Sequence, residues 1–376
     1  MTSIDAAEIA PELETEILTL NMGPQHPSTH GVLRVVLQLD GEIIRSATPH
    51  VGYLHSSCEK IAENRTYPQC IPFLDRFDYL SALFYELAFV RAVEELMEIE
   101  VPQRARYLRT ITCELNRIAS HLVFLGTFAL DLGAPTVFLY CFRDREIILD
   151  ILEELTGARL TYNYYRMGGC AADVPPGFAD ECMRFVRYLP HRLQEIDGIL
   201  TDNRIFRARC QGVGVISGED AVNWGCSGPT LRGSGAAFDL RKAEPYEAYA
   251  EMDFNVCTRN EGDVLARYYV RLDEMRESLK IIEQGLGKLP DGDITAKVSR
   301  RIRPPEGEVY ARVESPRGEL GVYLVSDGSD RPYRVKVRAP SFCNLATLPV
   351  LTKDHLVADL VAVIGSIDIV LGDVDR

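Results

Sequence analysis

Residues 102–125 read PQRARYLRTITCELNRIASHLVFL, and this stretch sets the architecture of the chain. Its apolar residues recur three or four positions apart, at Leu108, Ile111, Leu115, Ile118, Leu122 and Leu125. That spacing aligns them along one side of an α-helix, so it predicts a long helix that buries this stripe. Pro135 is a favourable first residue for a second helix, which we expect to end at Gly157.

Helical periodicity continues on both sides of these two helices. One helix is predicted to begin near Tyr79, and later stretches also show the helical pattern: Phe178 to Leu189, Pro190 to Leu200, Val264 to Leu286 and Asp354 to Ile364. The centre of the protein is therefore predicted to be a bundle of long helices.

The periodicity changes to two near both ends of the chain. Residues 31–48 alternate between polar and apolar and turn at Asp40-Gly41, which predicts a β-hairpin. A second hairpin is predicted from residues 318–325 and 333–337, around the turn-forming residues 326–330. The fold class is thus α+β, a helix bundle with small antiparallel sheets near both termini.

This pattern also predicts the domain organisation. We expect residues 1–15 to be a flexible N-terminal segment and residues 16–376 to form a single domain. Within that domain, residues 16–75 would hold the first hairpin and its loop, residues 76–300 the bundle, and residues 301–376 the second hairpin, a helix and the tail.

Composition excludes several classes of function. The net charge is -14 and no basic stripe is visible, which argues against nucleic acid and against direct contact with an anionic lipid surface. The ten cysteines include no C-x-x-C pair, so we expect reduced, mostly buried thiols and no iron–sulfur cluster or structural zinc held by this chain alone. The most apolar stretch, residues 118–142, is interrupted by polar residues and is predicted to be a core helix.

Two histidines lie on a short loop that precedes the first hairpin. His26 and His30 stand in a segment with two prolines and two glycines, which restrict its backbone. Two imidazoles on a rigid loop suit a binding or catalytic site, although both could simply bond to neighbouring backbone. A zinc site that combines them with His50 or His55 is a further alternative.

Two other side chains are candidates for a site at one end of the bundle. Tyr79 precedes the first long helix and could present its hydroxyl to a ligand; the alternative is a core tyrosine. Asp131 lies in an apolar run, where a buried carboxylate requires a partner such as a histidine; the alternative is a cap at the helix end.

One run of sequence resembles a known family. Residues 23–34, GPQHPSTHGVLR, resemble the quinone-site loop of the 49 kDa-type subunit, also called the D subunit, of respiratory complex I. Further strings match in order: VGYLH at 51–55, EK at 59–60, ASHL at 119–122, DLG at 131–133 and RVKVRAPSF at 334–342. The resemblance extends from about Leu18 to Arg376.

This family is in turn similar to the large subunits of nickel–iron hydrogenases. Those subunits hold their metals with two cysteine pairs, the last of which reads D-P-C-x-x-C. Here Val370 and Asp373 occupy the two cysteine positions, and Cys58 stands alone where the other pair would be. The thiolates that a nickel–iron centre needs are missing, so no metal is expected in this chain.

The resemblance implies a quinone-site subunit of a proton-pumping NADH:quinone oxidoreductase. It implies that His30 and Tyr79 hydrogen-bond the quinone, that Asp131 shares a proton with His30, and that Arg76 lies near the [4Fe-4S] cluster of the neighbouring B subunit. The chain would bind no cofactor itself. It would also contact the C subunit and the membrane-embedded H subunit of the complex, and would lie peripherally on the cytoplasmic side of the bacterial cell membrane.

Three alternatives stay open at this point. They are a hydrogenase large subunit, a scaffold that has lost the pocket, and a component of a related complex fed by ferredoxin or another donor. Thr161 stands where the family usually carries a histidine near the cluster. We therefore hypothesise that the cluster potential does not depend on pH and that the quinone is one of low potential, such as a menaquinone.

Overall fold

The computed structural model describes residues 16–26 and 31–376. The prediction for residues 1–15 and the position of His30 lie outside the described residues. The division into a single domain stays a prediction.

An antiparallel sheet opens the described chain. Its strands lie in the order β1 (Ile17–Met22), β2 (Arg34–Asp40) and β3 (Ile43–His50). Gly41 adopts φ +61° in the tight turn between β2 and β3, a conformation that glycine enters without steric cost. Val35, Leu37 and Leu39 are buried on one face of β2, so the predicted hairpin is confirmed.

The helix bundle follows this sheet. Two short helices, α1 (Cys58–Ala62) and α2 (Tyr67–Leu74), lead into the long ones. The next elements are α3 (Ala82–Leu96), α4 (Gln103–Asp131), α5 (Pro135–Thr156), β4 (Tyr165–Arg166), β5 (Gly169–Cys170) and α6 (Phe178–Ile196). After them come α7 (Arg204–Cys210), α8 (Gly218–Asn223), α9 (Gly228–Arg232), α10 (Leu240–Ala243) and α11 (Val264–Gly287).

Helix α4 forms the axis of the bundle and packs against α5, α11 and α14 (Val357–Ile367). The predicted apolar stripe is completely buried. Helix α5 begins at Pro135 and ends before Gly157, whose φ of +80° closes the last turn. Both predictions are confirmed.

The prediction of two separate helices around Pro190 is wrong. Helix α6 runs through Pro190 and continues into a wider helical turn, Asp197–Thr201. Leu189, Leu193 and Ile196 are all buried on the same side of this helix. Burial of this stripe outweighs the hydrogen bond that proline removes from a helix interior.

A second antiparallel sheet lies near the C-terminus, in the order β6 (Gly307–Ser315), β7 (Gly318–Ser326) and β8 (Arg334–Arg338). The predicted hairpin is present, and β6 is a third strand that the sequence prediction omitted. The chain ends in α12 (Pro340–Leu345), α13 (Leu348–Thr352), α14 and α15 (Leu371–Asp375). The α+β architecture with sheets near both termini is confirmed.

Two further expectations concern the whole chain. All ten cysteines are free thiols and eight of them are buried, as predicted. Among the helices of the described residues, none combines the length and the apolar character needed to cross a membrane.

Candidate functional site

Tyr79 lies in a turn between α2 and α3, and a buried ion pair holds that turn in place. The Tyr79 side chain is 46% exposed, so it is not a core tyrosine, whereas its neighbour Asp78 is fully buried. Arg317 Nη1 donates to Asp78 Oδ2 at 2.6 Å, and the Leu80 N–H donates to Asp78 Oδ1 at 3.1 Å. Helix α3 begins at Ala82, so Tyr79 projects from the turn that precedes it.

Arg317 links this turn to the C-terminal part of the chain. Its Nε donates to the Asp368 carbonyl oxygen at 2.9 Å, and Nη2 lies 3.4 Å from Asp368 Oδ1. The guanidinium group is fully buried. One arginine from the turn between β6 and β7 therefore joins the Tyr79 turn to the residues that follow α14.

The last helix, α15, packs directly on the Tyr79 turn. Gly372 lies so close to it that an added Cβ would be 2.6 Å from the Phe77 carbonyl oxygen and 3.1 Å from that of Arg76. Asp373 is completely buried, where Tyr85 Oη and, at 2.9 Å, the Ser341 N–H donate to its carboxyl. Burial and the nearby charge of Asp78 raise the pKa of Asp373 to about 6. Arg76 itself is exposed.

The same C-terminal segment anchors residues 52–55, part of the family-like VGYLH string. The N–H groups of Gly52 and Leu54 each donate to the Asp375 carboxylate at 2.7 Å. His55 Nδ1 lies 2.7 Å from the Asp375 carbonyl oxygen, and His55 Nε2 lies 3.2 Å from Ser57 Oγ. Both ring nitrogens of His55 are thus engaged in the protein, which leaves neither of them for zinc.

The histidine-containing loop also meets α15. His26 and Gly31 form an antiparallel bridge, and His30 lies outside the described residues. Gly31 has φ +133°, and a Cβ added there would lie 2.9 Å from Leu371 Cδ1. The backbone that directly follows His30 in sequence is therefore in contact with α15.

Asp131 is half-buried at the C-terminal end of α4 and faces α14. A Cβ added at Gly365 would lie 3.8 Å from Asp131 Oδ2 and 2.8 Å from Phe128 Cδ2. The C-terminal end of a helix repels a carboxylate through the helix dipole, so capping does not explain this residue.

The C-terminal segment 365–376 thus contacts three separate parts of the chain that the sequence singled out. Gly365 packs beside Asp131, Leu371 beside Gly31, and Gly372 beside Arg76 and Phe77. Within residues 16–26 and 31–376, no group of three or more histidine, cysteine or acidic side chains is arranged to hold a metal ion.

Sequence reasoning missed several groups that build this site. It named Asp373 only as an occupant of a former cysteine position, and it did not single out Asp78, Arg317, Asp368 or Asp375. For Asp368, which stands between two isoleucines, a charged residue inside an apolar run was the usable signal, because it requires a buried partner. The identity of that partner depends on contacts between distant parts of the chain.

Comparisons with known proteins support the family resemblance that the sequence strings indicated. The family described as respiratory-chain NADH dehydrogenase, 49 Kd subunit, matches residues 131–302 and 295–376. The D subunit of NADH-quinone oxidoreductase from Desulforamulus reducens is 50% identical over 363 residues, which cover 96% of this chain and 99% of that protein. The D subunit from Geobacillus thermodenitrificans is 53% identical, over 96% of this chain and 100% of that protein.

A relative with a different name also matches over nearly its whole length. The H 1 subunit of NAD(P)H-quinone oxidoreductase from Gloeobacter violaceus is 48% identical over 389 residues, which cover 97% of this chain and 99% of that protein.

Proposed function

This chain belongs to the family of the respiratory-chain NADH dehydrogenase 49 Kd subunit, and from that membership we propose that it forms the pocket in which complex I reduces quinone. It is one subunit of an oxidoreductase complex, and we expect no activity from it alone. We further propose that the pocket lies beside the C-terminal segment 365–376, in the region where related hydrogenases hold their metals.

The packing of α15 carries this proposal. Where the hydrogenase pattern has two cysteines, this chain has Val370 and Asp373, and both are buried. The segment that contains them touches the Tyr79 turn and Gly31, the residue after His30 in the sequence, which supports a site at this part of the molecule. Acid and hydroxyl groups can bind and protonate a quinone, but they cannot supply its electrons.

The electrons must therefore come from a partner. We propose that they come from the [4Fe-4S] cluster of the B subunit, which would face Arg76. The C subunit would be a further neighbour, and the membrane-embedded H subunit would form the quinone entrance and hold this chain on the cytoplasmic side of the cell membrane.

The two expected proton donors differ in strength. An unperturbed imidazole titrates near pH 6.5, so His30 would give up a proton and recover it readily at neutral pH. Burial and the charge of Asp78 raise the pKa of Tyr79, although Arg317 opposes them. Tyr79 would therefore bind the quinone through its hydroxyl and release its proton only to a strongly basic reduced form.

The test uses the assembled complex with Tyr79→Phe or His30→Ala. Because each change removes a hydrogen-bond and proton donor, we expect NADH:quinone activity to fall by about two to four orders of magnitude. Electron transfer from NADH to ferricyanide should stay normal, since it does not use the quinone. Tyr333→Phe is the matched control, because Tyr333 is an exposed tyrosine of the second hairpin turn.

Wild-type rates of quinone reduction in either variant would contradict the proposal. That result would favour the scaffold alternative, in which the fold persists without a working pocket. A loss of ferricyanide activity in parallel would indicate a defect of assembly instead.

A further inference from the structure

Two fully buried carboxyl groups, those of Asp75 and Glu86, lie next to the candidate site. Asp75 follows α2 directly before Arg76, and Glu86 lies in the second turn of α3. Both hold the backbone of one distant segment. The N–H groups of Tyr164 and Tyr165 donate to Glu86 Oε2 at 2.7 and 2.8 Å, and the Asn163 N–H donates to Asp75 Oδ2 at 3.2 Å.

The second oxygen of each carboxyl group is not used by these backbone N–H groups. Asp75 Oδ1 and Glu86 Oε1 are buried and receive no hydrogen bond from any N–H or O–H group of the described protein. The two carboxyl groups are nevertheless close enough to form a hydrogen bond with each other. Two carboxylates repel, so such a bond requires that one of them carry a proton.

The surroundings favour that protonated state. Burial raises the pKa of Asp75 to about 6, and burial together with the charge of Asp75 raises the pKa of Glu86 well above its usual value. Arg76 and Arg166 are the cations that act on Asp75, and they reduce its shift without cancelling it. Tyr162 lies near Glu86 as a neutral phenol, since burial raises its pKa as well.

The segment that the pair holds has an unfavourable backbone. Thr161 and Asn163 adopt φ +43° and +46°, in the left-handed region that a β-branched residue such as threonine rarely enters. Such a conformation persists only where surrounding contacts impose it. The three hydrogen bonds to Asp75 and Glu86 are contacts of this kind.

We propose that Asp75 and Glu86 are positioning residues that share one proton, and that this acid pair clamps residues 163–165 to the turn that carries Arg76. Loss of the shared proton would leave two charges in a buried site and would weaken the clamp. The clamp should therefore be closed at neutral pH and should open as the solution becomes alkaline.

The link to catalysis rests on the proposed function. In that proposal Arg76 lies beside the partner's cluster, and the resemblance implies the same of Thr161, so the acid pair would fix one relative to the other. Opening of the clamp should then slow quinone reduction at alkaline pH.

Hydrogen exchange of the Tyr164 and Tyr165 amides, measured by mass spectrometry in the assembled complex, tests the clamp directly. The amides of β7, in the middle of the second sheet, correct for the intrinsic effect of pH on exchange. Above the pH at which the pair loses its proton, we expect the corrected wild-type rate to rise about tenfold per pH unit.

Single amide variants supply the decisive comparison. In Glu86→Gln the side-chain oxygen can accept both backbone N–H groups, and the NH₂ group can donate to Asp75 Oδ1 as the shared proton does. Asp75→Asn preserves the pattern in the same way. Both variants should keep the amides protected at every pH, and both should lose the alkaline decline in quinone reduction.

The double variant Asp75→Asn/Glu86→Gln should not hold residues 163–165 in place. Its two oxygens accept the backbone N–H groups, so two NH₂ groups face each other with no acceptor between them. Exchange at residues 164 and 165 should be fast at every pH.

Two results would overturn the clamp: corrected wild-type exchange that does not depend on pH, or a double variant as well protected as the single ones. Neither measurement involves quinone. If the clamp is found but Tyr79→Phe reduces quinone normally, the proposed quinone site fails while the clamp stands. If the clamp is found but the single variants keep the alkaline decline in activity, its role in positioning for catalysis is wrong.

Discussion

Carboxylates in the centre of the bundle and carboxyl groups near the C-terminal segment are equally buried, but their counter-ions differ. In the bundle, Glu114 lies 3.2 Å from both Arg117 and Arg241, and Arg232 Nη2 donates to Glu274 at 2.7 Å. Burial alone would raise the pKa of these two glutamates, but the arginines outweigh it and hold each pKa below its usual value. Both remain charged at any pH the cell meets.

Near the C-terminal segment, the three carboxyl groups of Asp373, Asp75 and Glu86 are held mainly by other kinds of group. Hydroxyl and backbone N–H groups donate to Asp373. Burial of Asp373 and the nearby charge of Asp78 both raise its pKa. Asp75 and Glu86 face each other. The pKa of each of these three groups is raised. Arginine thus holds the charge of Glu114 and Glu274 in the bundle, whereas burial and neighbouring acids favour the protonated form of Asp75, Glu86 and Asp373.

The largest effect should come from breaking a fixed charge pair of the bundle. Arg232→Leu removes the ion pairs to Glu274 and Glu314, whose carboxylates both lie 2.7 Å away. It leaves two buried carboxylates without their arginine counter-ion, which costs about 3–5 kcal/mol of unfolding free energy. We expect little assembled complex, measured by native gel electrophoresis and subunit content.

Arg184→Leu is the control for this change, since it removes an exposed ion pair with Glu181. Such pairs contribute about 0–1 kcal/mol, so assembly should be normal. Normal assembly of the Arg232 variant would show that the bundle does not depend on its buried ion pairs.

On the site side, Asp373→Asn should change how stability depends on pH. A carboxyl group whose pKa rises from 3.8 to about 6 on folding contributes stability below pH 4 that is lost as the pH rises through 6. The asparagine variant lacks this loss. Its free energy of unfolding, compared with that of the wild type, should therefore be up to about 3 kcal/mol more favourable at pH 7 than at low pH. Thermal unfolding of the complex between pH 4.5 and 7.5 measures this difference.

Asp150→Asn, at an exposed carboxylate paired with Arg159, should leave the pH profile of the wild type unchanged. If Asp373→Asn also showed the wild-type dependence of stability on pH, the Asp373 carboxyl group would stay charged across this pH range, as Glu114 and Glu274 in the bundle do.

A steric change should separate the site from the scaffold. Gly372→Ala places a Cβ 2.6 Å from the Phe77 carbonyl oxygen, so α15 and the Tyr79 turn must move apart, at about 1–3 kcal/mol. We expect an assembled complex with reduced quinone activity and normal ferricyanide activity. Gly287→Ala is the control, because an added Cβ there meets nothing within 4 Å. Equal quinone activity in both variants would show that this contact does not shape the site.

The smallest effect concerns Thr161. A redox titration of the cluster in the assembled complex should give a potential that does not change with pH in the wild type. Thr161→His adds an imidazole that titrates near neutrality, so the potential should fall by up to about 59 mV per pH unit across that range. A wild-type potential that already shows this slope would argue against the menaquinone hypothesis.

Much of the scaffold could be predicted, because the spacing of apolar residues in the sequence indicates which side of a helix or strand is buried. The stripe of α4, the ends of α5 and the first hairpin follow from spacing and turn residues alone. The helix break predicted at Pro190 was wrong, because burial of Leu193 and Ile196 stabilises the continuous helix by more than the proline destabilises it. Strand β6 was missed, although its residues alternate between polar and buried apolar.

The site was less accessible to sequence reasoning. Asp131 was found because it interrupts an apolar run, and Glu86 interrupts the run Phe84–Phe89 in the same way. The pairing of Glu86 with Asp75 could not be inferred, because their shared partner is the backbone of residues 163–165. The position of Asp373 beneath the Tyr79 turn likewise depends on contacts between residues almost 300 positions apart.

Binding of a short-chain quinone analogue to the assembled complex, with and without the Tyr79 hydroxyl, tests the proposed pocket most directly. Loss of one hydrogen bond of about 0.5–1.5 kcal/mol should weaken binding roughly two- to twelvefold in Tyr79→Phe. Tyr333→Phe should bind as the wild type does. Equal affinity in all three forms would contradict a quinone site at the C-terminal segment.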